Sequence, residues 1–280
     1  MKLIAVTDII KSVRDLPSLP IIVMELLTSF EQPDANLSVL AEKVSHDQAL
    51  AAKTLRLANS SFYGLSRKVT TIQQAITILG FDSIRALVVA AGATENFRSV
   101  KHPTFNFETF WRHSIGVAVC SKQLARLVNE NQNYAFVCGL MHDIGRLVLV
   151  THFPSEYGAA TKYRDAQDCH MLEAEKEVLG VDHALVGRLL AESWKFPALM
   201  QKAISNHHDP EPSDMGGMPS IVHAANAIVH GLDLTNSQND LVPEISEDVW
   251  KSLNIRTVDL RRLFRDTETD FEEACQILAA

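Results

Sequence analysis

Apolar residues recur at three- and four-residue steps through nearly every periodic segment of the chain, and no two alternating stretches are joined by a hairpin turn. That pattern confines the fold to packed helices. Its sharpest instance spans residues 137–148, where Val137, Leu140, Met141, Ile144, Leu147 and Val148 mark the inner face of a helix expected over about 133–151. The same stretch carries His142, Asp143 and Arg146. A carboxylate among apolar side chains is costly unless a positive group or hydrogen-bond donors meet it. An arginine, backbone amides or a metal ion could each be that partner. The His-Asp pair alone decides nothing, because it recurs at His46-Asp47 and His208-Asp209.

Caps and breakers predict the remaining helices. Pro20 suits the first turn of a helix reaching about Phe30, and Asn36 and Asp47 open two more. Thr71 to Gln74 form a capping box, Gly80 closes that helix, and Asp82 opens an apolar one ending near Phe97. Residues 98–106 show no period and mark a boundary between an N-terminal helical subdomain, 1–100, and a larger helical domain, 101–280. Beyond it a helix is expected over 107–128. Others start at Pro154, Asp182, Pro197 and Pro219, and the last runs from about Thr257. Residues 208–219, rich in proline and glycine, read as a loop.

At 280 residues, 46% apolar and 21% charged, the chain has a globular composition and ample length for a core. A net charge of -8 argues against direct nucleic-acid binding. The longest apolar run, 86–93, is too short to span a membrane, and residues 1–16 offer no cleavage site. Cys120, Cys138, Cys169 and Cys275 lack metal or redox spacing and read as reduced core thiols of a cytoplasmic protein. Residues 51–100 reverse the overall sign, with six basic residues against Asp82 and Glu95. Such asymmetry is usually a solvated helix face. Here it also surrounds two aromatics, so Arg56, Phe62, Tyr63, Arg67 and Lys68 form a candidate patch for a protein partner. If Phe62 and Tyr63 instead anchor their loop to the core, the patch does not exist.

Further histidines are spread along the chain. His113 lies in the helix preceding His142, and consecutive helices normally pack as neighbours. His183 opens a helix, His207-His208 closes another, and Asn226 sits inside a third. Imidazoles and carboxylates suit a divalent Fe, Mn, Zn or Ni ion, while the cysteine spacing argues against a zinc finger. Each residue also has a plain reading. A helical histidine is commonly a hydrogen-bonded core residue, the reading kept for His46, His102, His152, His170, His223 and His230, and Asn226 alone suits a helix–helix hydrogen bond.

The order of motifs adds a resemblance. Leu16-Pro-Ser-Leu-Pro20, Asp47-Gln-Ala-Leu50, Leu55-Arg-Leu-Ala-Asn59 and Gln74-Ala-Ile-Thr-Ile-Leu-Gly80 are followed by Phe110-Trp-Arg-His-Ser114 and Gly139-Leu-Met-His-Asp-Ile-Gly145. Trp194-Lys-Phe-Pro197 and His207-His208 complete the series. Over residues 16–230 the chain resembles the HDOD family of bacterial signalling proteins, degenerate relatives of the HD-superfamily metal-dependent phosphohydrolases. The resemblance implies an all-α fold, an N-terminal helical bundle packed on an HD-like helical domain. It places the HD signature on His113, His142-Asp143 and Asn226, and the second-metal ligands of the related HD-GYP phosphodiesterases on Asp143, His183, His207 and His208.

Three departures bear on activity. Asn226 replaces the closing Asp, Thr109 stands where some relatives place a Glu, and the catalytic loop of those enzymes is replaced over 209–219. Arg146 takes the place of their Lys, keeping charge but not geometry. The expectation is a signalling module that acts by binding a ligand or a protein partner, without turnover. The alternative is a phosphohydrolase on a cyclic nucleotide or another phosphoester, in which Arg146 steadies the phosphate.

Overall fold

Side chains start the helices where the sequence places caps. Asn36, Asp47, Thr71, Asn106, Asn131 and Asp182 each accept a hydrogen bond from a backbone N–H in the first turn of a helix. Gly80 at φ +83° ends the helix that Thr71 starts, and Gly180 at φ +76° ends another, both in conformations that favour glycine. These assignments come from a computed structural model that describes residues 3–15, 19–32, 36–59, 65, 68–96, 105–235 and 241–278.

Among the described residues the chain is built of helices and contains no strand. The first group is α1 (Val6–Asp15), α2 (Ile21–Thr28), α3 (Leu37–His46), α4 (Gln48–Ala58), α5 (Ile72–Leu79) and α6 (Phe81–Asn96). Next come α7 (Phe107–Leu127), α8 (Gln132–Met141), α9 (Ile144–His152), α10 (Pro154–Gln167) and α11 (Met171–Leu179). The remainder are α12 (His183–Ser193), α13 (Ala198–Ser205), α14 (Met218–Gly231), α15 (Glu247–Leu253) and α16 (Thr257–Leu278). The largely buried α7, α8 and α14 pack on one another at the centre.

Helices α2 to α6 form a bundle that meets this centre where α6 packs on α8. Buried Arg85 ties the two together: it donates to Ser29 Oγ (3.0 Å) and Asp82 Oδ1 (2.8 Å), and its guanidinium lies 3.6 Å from the centre of the Phe30 ring. Phe30 in turn stacks on Tyr134 of α8, centroids 4.8 Å apart. The two chain ends cross over. Helix α1 packs on α9 and α12, and α16 packs on α7 and reaches α4 and α6.

One expectation is corrected. The single helix over 133–151 is two, broken at His142-Asp143. Asp143 sits at the N-cap of α9 with φ -97° and ψ 11°, and its carbonyl accepts from Arg146 N–H rather than from a residue four ahead. Apolar periodicity runs unbroken through such a change of direction because both halves are buried.

Candidate metal centre

Two helix crossings build the centre. A Cβ on Gly139 would stand 2.7 Å from Val117 O, so α8 can lie this close to α7 only with glycine there. That crossing sets His142 beside His113, ring centroids 5.3 Å apart. A Cβ on Gly145 would stand 2.0 Å from His183 O and 2.5 Å from Gly187 N. This second approach, α9 on α12, brings the first residue of α12 to Asp143. His207 and His208 follow α13, and Asn226 comes from α14.

Three imidazoles are held by the nitrogen that faces away. His142 Nδ1 donates to Gly139 O (2.7 Å), His207 Nδ1 to Ile204 O (2.8 Å) and His183 Nδ1 to Glu175 Oε2 (2.6 Å). A carbonyl or a carboxylate can only accept, so each Nδ1 carries a proton and each Nε2 is the nitrogen that faces the centre. There they surround Asp143 Oδ1, at 3.6 Å from His142, 3.2 Å from His183 and 3.5 Å from His207. His183 Nε2 also lies 2.8 Å from His208 Nε2 and 3.4 Å from His207 Nε2. The other oxygen of Asp143 accepts from Arg146 Nη1 (3.0 Å), and Arg146 Nε donates to Tyr157 Oη (3.1 Å).

Electrostatics match this geometry. Burial and the neighbouring histidines push His142 down to about 3 despite Asp143, and His113 well below its ordinary value. Burial alone would raise Asp143, but His142 and His183 hold it well below the usual carboxylate range. His183 is the exception: burial acts to lower it, yet Glu175 and then Asp143 raise it to about 10. Without a cation, His183 therefore carries a proton between two carboxylates, and ligation must displace it.

The donor set fits a divalent cation. Ligands about 2.1 Å from one metal stand roughly 3.0–3.4 Å from one another in octahedral or tetrahedral arrangements, close to the spacings around Asp143 and His183. Two sets of ligand atoms cluster within 4.8 Å of one another: Asp143, His183, His207 and His208, and His113, His142 and Asp143. His142 Nε2 is buried without a hydrogen-bond partner, the state of an imidazole whose lone pair serves a metal. Above the centre lies a cavity of about 530 Å³ lined also by Asn226. Asn226 Oδ1 accepts no hydrogen bond.

Residues 16–210 match the HDOD domain. This chain belongs to the HDOD family. Among solved structures, an HDOD domain protein of unknown function from Geobacter sulfurreducens superposes with a TM-score of 0.82 at 23% identity, covering 96% of this chain and 99% of the other. A protein from Shewanella amazonensis SB2B, provisionally named a phosphohydrolase, gives 0.74 at 28% identity, covering 96% and 98%. One from Marinobacter aquaeolei VT8, provisionally named a signal transduction protein, gives 0.78 at 20%, covering 95% and 60%. The chain spans 43% and 15% of the lengths of the curated relatives it matches.

In this HDOD protein the structure brings together His113, His142, Asp143, His183, His207 and His208, with Asn226 and Arg146 on the same cavity wall. Arg56 and Lys68 are exposed on the N-terminal bundle; Phe62, Tyr63 and Arg67 lie outside the described residues, as does His102. Two histidines read as plain core residues line the cavity instead: His170 at its mouth and His230, whose ring stands 4.6 Å from that of His113. His223 does keep a structural place, donating to His207 O (2.8 Å) and accepting from Ser246 N–H (3.1 Å). Cys169 is half-buried on the cavity wall, whereas the other three thiols are buried. The sequence reading missed Glu175 and Tyr157. Among the described residues one stretch, Gln132–His152, is long and apolar enough to cross a membrane, and 89% of its most apolar window is buried inside the fold.

Proposed function

We propose that this HDOD protein is a signalling regulator that holds one divalent cation on Asp143, His183, His207 and His208 and binds ligand above it without turning over a phosphodiester. The observation that carries the reading is the inequality of the two ligand groups. The first has four ligand-type residues, one of them clamped by the buried Glu175; the second has three and meets a neutral amide at Asn226. Charge points the same way. Asp143 and Glu175 face Arg146 and one divalent cation, which already leaves a net positive centre; a second cation would add two charges, and neither ligand group holds a carboxylate besides Asp143 to offset them. Such a cation would attract an oxygen of the ligand as a Lewis acid.

Output through a protein partner is supported by the exposed Arg56 and Lys68 and by the name of the Marinobacter protein. Four thiols outside any disulfide favour a reducing compartment, the cytoplasm.

A phosphohydrolase remains the second reading, because Asp143 belongs to both ligand groups, as a two-cation clamp requires, and because of the name of the Shewanella protein. In it His113, His142 and Asp143 hold the first ion and Arg146 steadies a phosphate. Elemental analysis of protein purified without chelator, paired with hydrolysis of bis(p-nitrophenyl) phosphate, separates the two. One equivalent of metal without hydrolysis is expected; two equivalents with turnover would establish the hydrolase, and metal-free protein that takes up no added cation would overturn both.

A further inference from the structure

Beside the histidine cavity lies a second chamber of about 300 Å³, which shares Arg146, Arg164, His113 and His230 with it. The two chambers differ in chemistry. Asp143, Glu173 and Glu244 enter the wall of the larger one. No acidic side chain among the described residues lines the smaller. Its polar wall consists of Asn106, Thr109, Thr161 and Thr235 with the Tyr157 hydroxyl, and Phe105 and Phe110 close one side.

The donors there are pre-set. Arg146 spends Nη1 on Asp143 and Nε on Tyr157, which fixes the plane of the guanidinium and leaves Nη2 outside both bonds. Tyr157 Oη accepts from Arg146, so its own proton is left to donate. Asn106 Oδ1 accepts from Thr109 N–H, leaving the amide NH₂ as a donor. Arg164 is engaged by Asp165 through Nε (3.0 Å) and Nη2 (2.6 Å), leaving Nη1.

We infer that this chamber is an oxyanion subsite, one that takes a phosphate or carboxylate group without help from the cation. Arg146 Nη2 and Arg164 Nη1 each offer such a group a charge-assisted hydrogen bond. A wall free of carboxylates spares the anion the repulsion it would meet beside Glu173 and Glu244. The volume exceeds that of a bare phosphate and falls at the lower end of small-molecule sites. The occupant is therefore a small organic molecule carrying the anion, its less polar part against Phe105 and Phe110. The inference rests on the regulator reading only for what the far end of that molecule touches.

The test is calorimetric titration of inorganic phosphate and, separately, acetate into protein stripped of metal, then into protein loaded with Mn²⁺. At least one anion should bind the stripped protein, and the tighter of the two identifies the group. Arg164→Gln should weaken that binding about tenfold, the loss of one charge-assisted hydrogen bond, and Thr161→Glu should abolish it. Both variants should keep Mn²⁺ affinity within about twofold, since neither side chain belongs to the ligand groups. Stripped protein that binds neither anion would overturn the inference, as would unchanged affinity in Arg164→Gln. Binding that appears only after Mn²⁺ loading would overturn it too, by placing the anion on the cation. Failure of the regulator reading appears elsewhere, in the Mn²⁺ titration itself.

Discussion

Replacing Glu175 by glutamine removes one charge from a fully buried position while keeping the side-chain shape. In the native protein Oε2 accepts both Nδ1–H (2.6 Å) and the backbone N–H (2.8 Å) of His183, and Oε1 accepts nothing. Glutamine keeps one acceptor oxygen but puts an NH₂ where no acceptor waits. A hydrogen bond to a charged group contributes about 1.5–3 kcal/mol against about 0.5–1.5 for a neutral one, so the Nδ1 bond alone weakens by on the order of 1 kcal/mol. The imidazole also loses the carboxylate that makes it a more basic ligand. Losing such a partner costs about 10–100-fold in metal affinity, and Glu175→Gln should weaken Mn²⁺ binding by that factor. Calorimetric titration measures it, and ¹⁵N-edited NMR of the metal-free proteins should show His183 passing from the doubly protonated ring toward the neutral one, because Glu175 is the main group holding the second proton. Glu175→Asp, charged but shorter, should fall between. A folded Glu175→Gln protein with unchanged affinity and an unchanged His183 protonation state would refute the role assigned to Glu175.

Gly145→Ala drives a methyl into backbone atoms of α12, whereas Gly187→Ala first meets Ile204 Cγ2, a side chain that can yield. Overpacking costs about 1–3 kcal/mol, so thermal unfolding should show Gly145→Ala as the more destabilised, and it should also lose Mn²⁺ affinity. Asn226→Asp supplies a carboxylate to the cavity wall and should bind Mn²⁺ more tightly than the native protein; equal calorimetric affinities would mean that Asn226 does not serve the cation. Chelation should lower the melting temperature, because a cation held at a hundred times its Kd stabilises the folded state by about 2.7 kcal/mol, and readdition of Mn²⁺ should restore it.

Legibility in the sequence followed the range of the interaction. Asn36, Asp47, Thr71 and Asp182 announce their helices because a cap acts within one turn. The meeting of His113 and His142 was readable because consecutive helices pack together. The convergence of His183, His207 and His208 on Asp143 spans many intervening residues, and only the family resemblance indicated it. Glu175 left no sign: an acid in α11, beside Glu173 and Glu177, looks like part of a solvated face until the fold buries it. His230 did leave one, since it follows Asn226 by four residues on α14 and so shares its face. The break at His142-Asp143 could not be read from apolar spacing, which is the same on both sides of it.

Asp143 belongs to both ligand groups, with one oxygen among the imidazoles and the other already bonded to Arg146. A cation entering either group draws on the same negative charge and leaves less for its neighbour. If both groups take up metal, loading should be anticooperative, and a Mn²⁺ titration should give a Hill slope below one past the first equivalent. The expected answer to rising metal is then a graded, single-ion response, not an all-or-none switch.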